Sequence, residues 1–183
     1  MAKLILGFTG EMVSGKGTAA KYVSEKYKAN SYRFSTILRD ILTRVHLEHS
    51  RENMQKISEA LRKTFGEDVM AKSMALDVQN DQGEVVVIDG IRRLPDIKYL
   101  KELPHFKLVY IEADIEVKHR RLLERNENTD DATKTLEQFR KDHEAEAETQ
   151  IRDLKQHAQY VMDNNGALED LHAQVDSIIS ENI

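Results

Sequence analysis

Five short runs, most of them rich in apolar residues, are separated by longer stretches in which apolar residues recur every three or four positions. The runs are Leu4 to Phe8, Ser31 to Phe34, Val85 to Ile88, Phe106 to Ile111 and Gln159 to Met162. Val85-Val86-Val87-Ile88 shows no polar alternation, the mark of a strand covered on both faces. The three-and-four spacing predicts helices over Ala19 to Tyr27, Ser35 to Leu47, Glu52 to Phe65 and Ala167 to Ile179, with Gly66 as a stop. Glu67 to Val78 reads as a further helix. Strand alternating with helix predicts a three-layer α/β domain, a five-stranded parallel sheet with helices on both faces. From Val117 the chain turns very polar. Leu136, Phe139, Ala145 and Ile151 there could line only one helical face, so light packing is expected.

The join between the first strand and the first helix carries the sharpest chemical signal. Gly10, Glu11, Met12, Val13, Ser14, Gly15, Lys16, Gly17 and Thr18 follow the strand directly and precede Ala19 directly. A buried strand, a tight turn and a helix in that order aim backbone N–H groups and a positive helix end at one point, which suits an anion. Gly10 and Gly15 permit backbone angles closed to larger residues, and Lys16 can reach outer phosphates. The segment predicts a bound nucleoside triphosphate. The general pattern places Ser or Thr immediately after the lysine to bind magnesium, whereas here Gly17 intervenes and the hydroxyl belongs to Thr18.

Other candidates fall at predicted strand ends and on helix faces. Asp89-Gly90 places a carboxylate at the carboxyl end of a central strand, where open α/β sheets bind ligands and where an acid can order the waters of a magnesium ion. Arg92 and Arg93 follow, and guanidinium pairs suit bidentate capture of phosphate. Ser35 is a good helix N-cap, and Arg39, one turn further, can face the cleft. Arg51 is a weaker candidate nearby. Arg121 and Arg125 lie at i and i+4, hence on one helix face; Arg120 points elsewhere. Asn164-Asn165-Gly166 fits a tight strand-to-helix turn.

Composition narrows the class. At 183 residues the chain has room for one well-buried core, so one domain over 1–183 is expected and a large motor ATPase is excluded. No run approaches the length of a membrane span, and Met1-Ala2-Lys3 leads straight into a strand, so a cytoplasmic location is expected. The net charge of −5 argues against a nucleic-acid partner, while a small phosphate ligand needs only local positive charge. Cysteine is absent, which removes disulfides, thiolate metal sites and thiol nucleophiles. His46-Leu47-Glu48-His49 lacks the spacing of a zinc protease helix, and neither a Gly-x-Ser-x-Gly elbow nor the Asn-Lys-x-Asp of GTPases occurs. Oligomeric state is not legible.

The Gly-Lys-Gly-Thr form of the loop resembles the nucleoside monophosphate kinases. Asp89-Gly90 followed shortly by arginine resembles a landmark of adenylate-kinase-like enzymes, without the usual aromatic and proline between them. Phe34-Ser35-Thr36-Ile37-Leu38-Arg39 resembles a shortened form of the segment with which those kinases hold the acceptor monophosphate. Asn-Asn-Gly before a helix is similar to dephospho-coenzyme A kinases. The resemblance implies transfer of the γ-phosphoryl group of ATP, with magnesium, to a small nucleotide, most simply a nucleoside or deoxynucleoside monophosphate. It implies that the loop residues 10–18 hold ATP, that Asn165 and Gly166 border the adenine, and that Ser35, Thr36, Arg39, Arg92 and Arg93 hold the acceptor. Lys16, Arg92, Arg121, Arg125 and Asp89 would carry catalysis. Magnesium would be held through water, with Thr18 and Asp89 as its nearest protein groups, and a helical lid would occupy about 126–150. Two alternatives stand beside this reading. One is a dephospho-coenzyme A kinase, whose hydroxyl acceptor needs a base, with Asp40 as the nearest carboxylate. The other is a slow ATPase that presents the acidic Glu137 to Glu148 face to a partner.

Overall fold

In the computed structural model, the described residues are 2–125, 133–144 and 146–183, with the side chains of Arg51, Arg125 and residues 146–149 also outside the description. Five strands, β1 (Leu4–Thr9), β2 (Asn30–Arg33), β3 (Val85–Asp89), β4 (Phe106–Glu112) and β5 (Tyr160–Asp163), form one sheet in the order β2-β3-β1-β4-β5. All four pairings are parallel. The helices are α1 (Lys16–Tyr27), α2 (Phe34–Arg44), α3 (Arg51–Phe65), α4 (Val69–Asn80), α5 (Leu94–Ile97), α6 (Ile115–Arg125), α7 (Leu136–His143), α8 (Glu146–Asp153) and α9 (Leu168–Asn182). The sheet is therefore the five-stranded parallel one read from the sequence.

The pleat explains why the central strands are apolar throughout. Leu4, Leu6, Phe8, Val85 and Val87 face one side, where α1 and α9 contribute Ala19, Val23, Leu171 and Val175. Ile5, Val86 and Ile88 face the other, against Phe34, Leu38, Met70, Met74 and Val78 of α2 and α4. Each side chain in such a strand alternates between two dry layers, so no position is left for a polar residue. Gly7 marks a close approach: a Cβ there would lie 2.7 Å from Ile91 Cδ1 and 2.8 Å from Phe106 Cε2.

Helix ends differ from the sequence expectation where backbone chemistry intervenes. α2 stops at Arg44 rather than Leu47 because His46 takes the left-handed conformation, φ 58°. The Leu47 N–H then returns to the Leu42 carbonyl and the His46 N–H to that of Thr43, satisfying carbonyls that the last turn leaves open. Gly66 does end α3, at φ 103°. α4 starts two residues later than expected, after Asp68. Ser35 is not a cap, since the cap residue is Arg33 and Ser35 lies within the first turn of α2.

The polar segment packs more firmly than its composition foretells. Phe139 is fully buried and Ile151 and His143 nearly so. The rings of Phe139 and His143 meet edge-on at 4.3 Å. A few large side chains inserted between α6, α7 and α8 suffice, although most of their surface is charged.

Candidate functional site

Register places the functional groups before any side chain is considered. Phe8 pairs with Asp89 and Arg33 pairs with Asp89 in adjacent ladders, so the ends of β1, β2 and β3 stand level at the carboxyl edge of the sheet. The glycine loop opens between β1 and α1 at that edge. Gly10 has φ 140°, Val13 φ 62° and Gly15 φ 109°. A Cβ on Gly10 would lie 2.2 Å from the Ile111 carbonyl oxygen, so the loop is pressed against β4. Val13 is β-branched, and holding it left-handed costs on the order of 1–3 kcal/mol, strain that persists only where the surroundings over-determine the shape. The Ser14 N–H closes a turn onto the Glu11 carbonyl at 3.2 Å. Ser14 Oγ is buried and has no hydrogen-bond partner among the described residues. The Lys16 ammonium donates to the carbonyls of Gly10 and Glu11, each at 2.7 Å, lying across the loop mouth. Met12 is half-buried, and Gly17 and Thr18 are exposed on the first turn of α1.

Glu11 is the loop residue whose side chain turns outward. Its carboxylate accepts from Lys118 of α6 and from Arg152 of α8, the latter at 2.5 Å. Lys118 is 3% exposed and the Glu11 side chain 16%, so the ammonium is buried while the carboxylate keeps some contact with water. Burial works against ionisation of Glu11, yet the hydrogen bonds from Lys118 and Arg152 hold its carboxyl below the ordinary value of 4.5. Because the folded value is depressed, this contribution to stability is complete above about pH 4.5 and is lost as pH falls through the folded value. Glu11→Gln strands a buried ammonium. It is expected to lower unfolding free energy by roughly 2 kcal/mol in urea titration at pH 7, whereas an unchanged midpoint would show that the pair contributes nothing.

Asp89 is buried and spoken for. Arg33, at the end of β2, donates to its Oδ2 through Nε at 2.8 Å and Nη2 at 2.7 Å. A Cβ on Gly17 would lie 3.8 Å from that Nη2, which puts the Arg33–Asp89 pair beside the first turn of α1. A magnesium ion held through its waters at Asp89 would have to share the carboxylate with Arg33.

The arginines read from the sequence separate into different settings. Arg92 is exposed, and its guanidinium has no partner among the described residues; only its backbone N–H is engaged, by Asp96 Oδ2 at 3.0 Å. Arg93 is half-buried and pairs with Asp96 at 3.3 Å and Glu67 at 3.4 Å. Arg39 donates to Ser35 Oγ at 2.7 Å, and Thr36 is exposed. Arg121 donates to the Asn164 carbonyl at 2.7 Å and approaches that of Gly166 at 3.4 Å. Burial, followed by Arg120, lowers the Arg121 pKa, with Glu124 opposing. Asn164 is buried and donates to the Ser14 carbonyl at 2.8 Å, tying the Asn164-Asn165-Gly166 turn to the glycine loop. Asn165 accepts from the Asp114 N–H at 2.7 Å. The Arg125 side chain lies outside the described residues, as do residues 126–132 of the expected lid.

Asn165 and Glu11 share a cavity of about 510 Å³ with Glu112, Asp114, Arg152 and Lys155. A second, of about 580 Å³, lies by Asp68, Pro95, Lys98 and His157, away from the glycine loop, and it holds none of the candidate groups. The first borders the glycine loop at Glu11 and the strand-to-helix turn at Asn165. Sequence reasoning missed Arg33, Lys118, Arg152 and the buried role of Asn164. Lys118 shares a face with Arg121 and Leu122 at three and four spacing, a signal that was present. Arg152 carried none, since its partner lies 141 residues away.

A central parallel sheet, a glycine loop entering α1 and helices on both faces define a P-loop kinase fold. A shikimate kinase from Bacteroides thetaiotaomicron shares it, with a TM-score of 0.65 at 16% identity over 97% of this chain and 98% of that one. A family model described as an AAA domain matches residues 9–140, more than half of the chain, and the protein belongs to that family. Among relatives, a UPF0200 protein of Thermococcus kodakarensis is 29% identical, covering 97% of each chain. A UPF0200/UPF0201 protein of Archaeoglobus fulgidus is 27% identical over 96% of this chain, which spans about half of that relative's length, 54%. Among the described residues no helix is long and apolar enough to cross a membrane.

Proposed function

We propose that the protein is an ATP-dependent phosphotransferase acting on a small nucleotide, most simply a nucleoside or deoxynucleoside monophosphate. One observation carries this reading: a glycine loop held in left-handed geometry at Gly10, Val13 and Gly15, with the Lys16 ammonium across its mouth and the α1 N-terminus behind it. Loop N–H groups would hold the β and γ phosphates, and Lys16 would exchange its two carbonyl acceptors for phosphate oxygens. Magnesium, when bound, supplies charge neutralisation of the phosphates. Asp89 and Thr18 would order its waters. Arg121, held against the Asn164 turn beside the loop, and Arg125 would offset charge on the transferring group. Phosphoryl transfer is mainly positioning and electrostatic stabilisation, so this set needs no covalent nucleophile. Arg39 and Arg92 would clamp the acceptor, and the one domain would include a lid formed around α7 and α8.

Incubation with ATP, magnesium and a panel of nucleoside monophosphates tests the reading. Acceptor-dependent ADP formation is expected, whereas slow hydrolysis indifferent to every acceptor would favour a nucleotide-dependent regulator. Arg92 offers a sharper readout because its guanidinium has no partner among the described residues. Arg92→Ala is expected to raise the acceptor KM roughly tenfold or more, the loss of one charge-assisted hydrogen bond, while the ATP KM stays within about twofold. Steady-state kinetics showing the reverse would reassign Arg92 to the ATP side.

A further inference from the structure

Arg33 and Asp89 are partners twice over. They are paired across the β2–β3 ladder, and the Arg33 guanidinium also reaches the carboxylate. Both of its bonds, at 2.8 and 2.7 Å, fall on Oδ2, and among the described residues no donor reaches Oδ1. The two side chains sit in unlike surroundings, with Asp89 10% exposed and Arg33 54%. Backbone pairing already fixes the register of these strands, and an ion pair half open to water adds little stability. The guanidinium is therefore not needed to hold β2 on β3. What it does is neutralise a buried carboxylate at the carboxyl edge of the sheet. A buried carboxylate without a counter-charge takes up a proton or draws a cation from solution.

The place matters as much as the charge. Arg33 Nη2 lies 2.7 Å from Asp89 and 3.8 Å from where a Cβ on Gly17 would stand, so the guanidinium sits between the end of β3 and the residue after Lys16. From those two places P-loop proteins offer oxygen to a divalent cation, through a hydroxyl after the lysine and an acid at a strand end. Here the first has no side chain and the second carries Arg33. We infer that Arg33 is a positioning residue that keeps a free divalent cation off Asp89, so that the metal enters only as its complex with nucleotide. A positive charge beside the carboxylate repels the bare cation, whereas a polyphosphate brings enough negative charge to offset both. Asp89 Oδ1, without a donor, is left for the waters of a metal delivered that way. This rests on the kinase reading and deepens it, because it sets the order in which metal and nucleotide arrive.

Mn²⁺, which takes the same oxygen ligands as magnesium and broadens nearby amide signals, tests it in Arg33→Met, in Arg33→Lys and in Arg33→Met combined with Asp89→Asn. Without nucleotide, Arg33→Met is expected to bind Mn²⁺ roughly tenfold or more tightly than wild type, with broadening at the Gly17 and Gly90 amides. The double variant should lose that gain. Mn²⁺ should also raise the unfolding temperature of Arg33→Met more than that of wild type, as a ligand held only by the folded state does. Arg33→Lys should fall between, and it carries the same test if Arg33→Met is unfolded without Mn²⁺. With a non-hydrolysable ATP analogue bound, the difference in Mn²⁺ affinity should shrink to within about threefold. Equal Mn²⁺ affinity in wild type and the folded Arg33 variants would overturn the inference and make Arg33 a structural tie. So would a gain that survives Asp89→Asn, or a difference that persists undiminished with the analogue bound. If the analogue binds no form of the protein, the kinase reading falls, while a gain that needs both loss of Arg33 and presence of Asp89 still identifies Arg33 as the group that keeps the cation away.

Discussion

Lys16→Ala is expected to reduce phosphotransfer roughly 10²- to 10³-fold, the scale of removing one preorganised charge from a developing oxyanion. The fold should persist. The ammonium lies across the loop mouth on the Gly10 and Glu11 carbonyls, while the core clusters on either side of the sheet do not involve it. A modest stability loss of about 1–2 kcal/mol accompanies the two lost hydrogen bonds from a charged donor. Far-ultraviolet circular dichroism and urea unfolding check the fold, and initial rates with ATP and the preferred acceptor check the chemistry. Activity within a few-fold of wild type would remove Lys16 from the site.

Gly10→Ala should produce the larger structural effect. Its added Cβ would sit 2.2 Å from the Ile111 carbonyl oxygen and 2.8 Å from Ser14 Oγ, on a residue at φ 140°. The carbonyl belongs to β4, which pairs with β1 through Thr9 and Tyr110, so it cannot give way cheaply. A cost of about 3 kcal/mol follows from backbone strain plus overpacking. The loop would lift from β4 and nucleotide affinity would fall with it. Gly17→Ala is the contrast, because the nearest atom to its added Cβ is the flexible Arg33 Nη2 at 3.8 Å and its position is helical. It should leave stability unchanged or raise it by about 0.4–1 kcal/mol. Equal destabilisation of both variants would show that the close approach to β4 is not what constrains the loop.

These contrasts show what a sequence can carry. The glycine loop was legible because each requirement is local: a dry strand, glycines at fixed offsets and a helix directly after. Asp89 was legible for the same reason, as a carboxylate closing a run of four buried apolar residues. Its partner was not, because Arg33 reaches it only through pairing of β2 with β3, and nothing between residues 33 and 89 records that register. Glu11 shows the limit more plainly. Read as one more loop residue, it proves to be an ionic junction whose two cations come from α6 and α8. Ser35 carried a capping signal that the fold overrode by placing the cap two residues earlier, at Arg33. Phe139 looked like one apolar residue in a wet helix, yet it is fully enclosed, because burial depends on what three helices bring together rather than on the average polarity of one.

The most direct measurement is a backbone amide titration of isotopically labelled protein with a non-hydrolysable ATP analogue and magnesium. The amides of Glu11 to Thr18 should show the largest shifts, saturating together, and Lys16→Ala should weaken them all. Saturable shifts confined to other parts of the sheet, with those eight amides unmoved, would contradict the phosphate-holding loop on which the account rests.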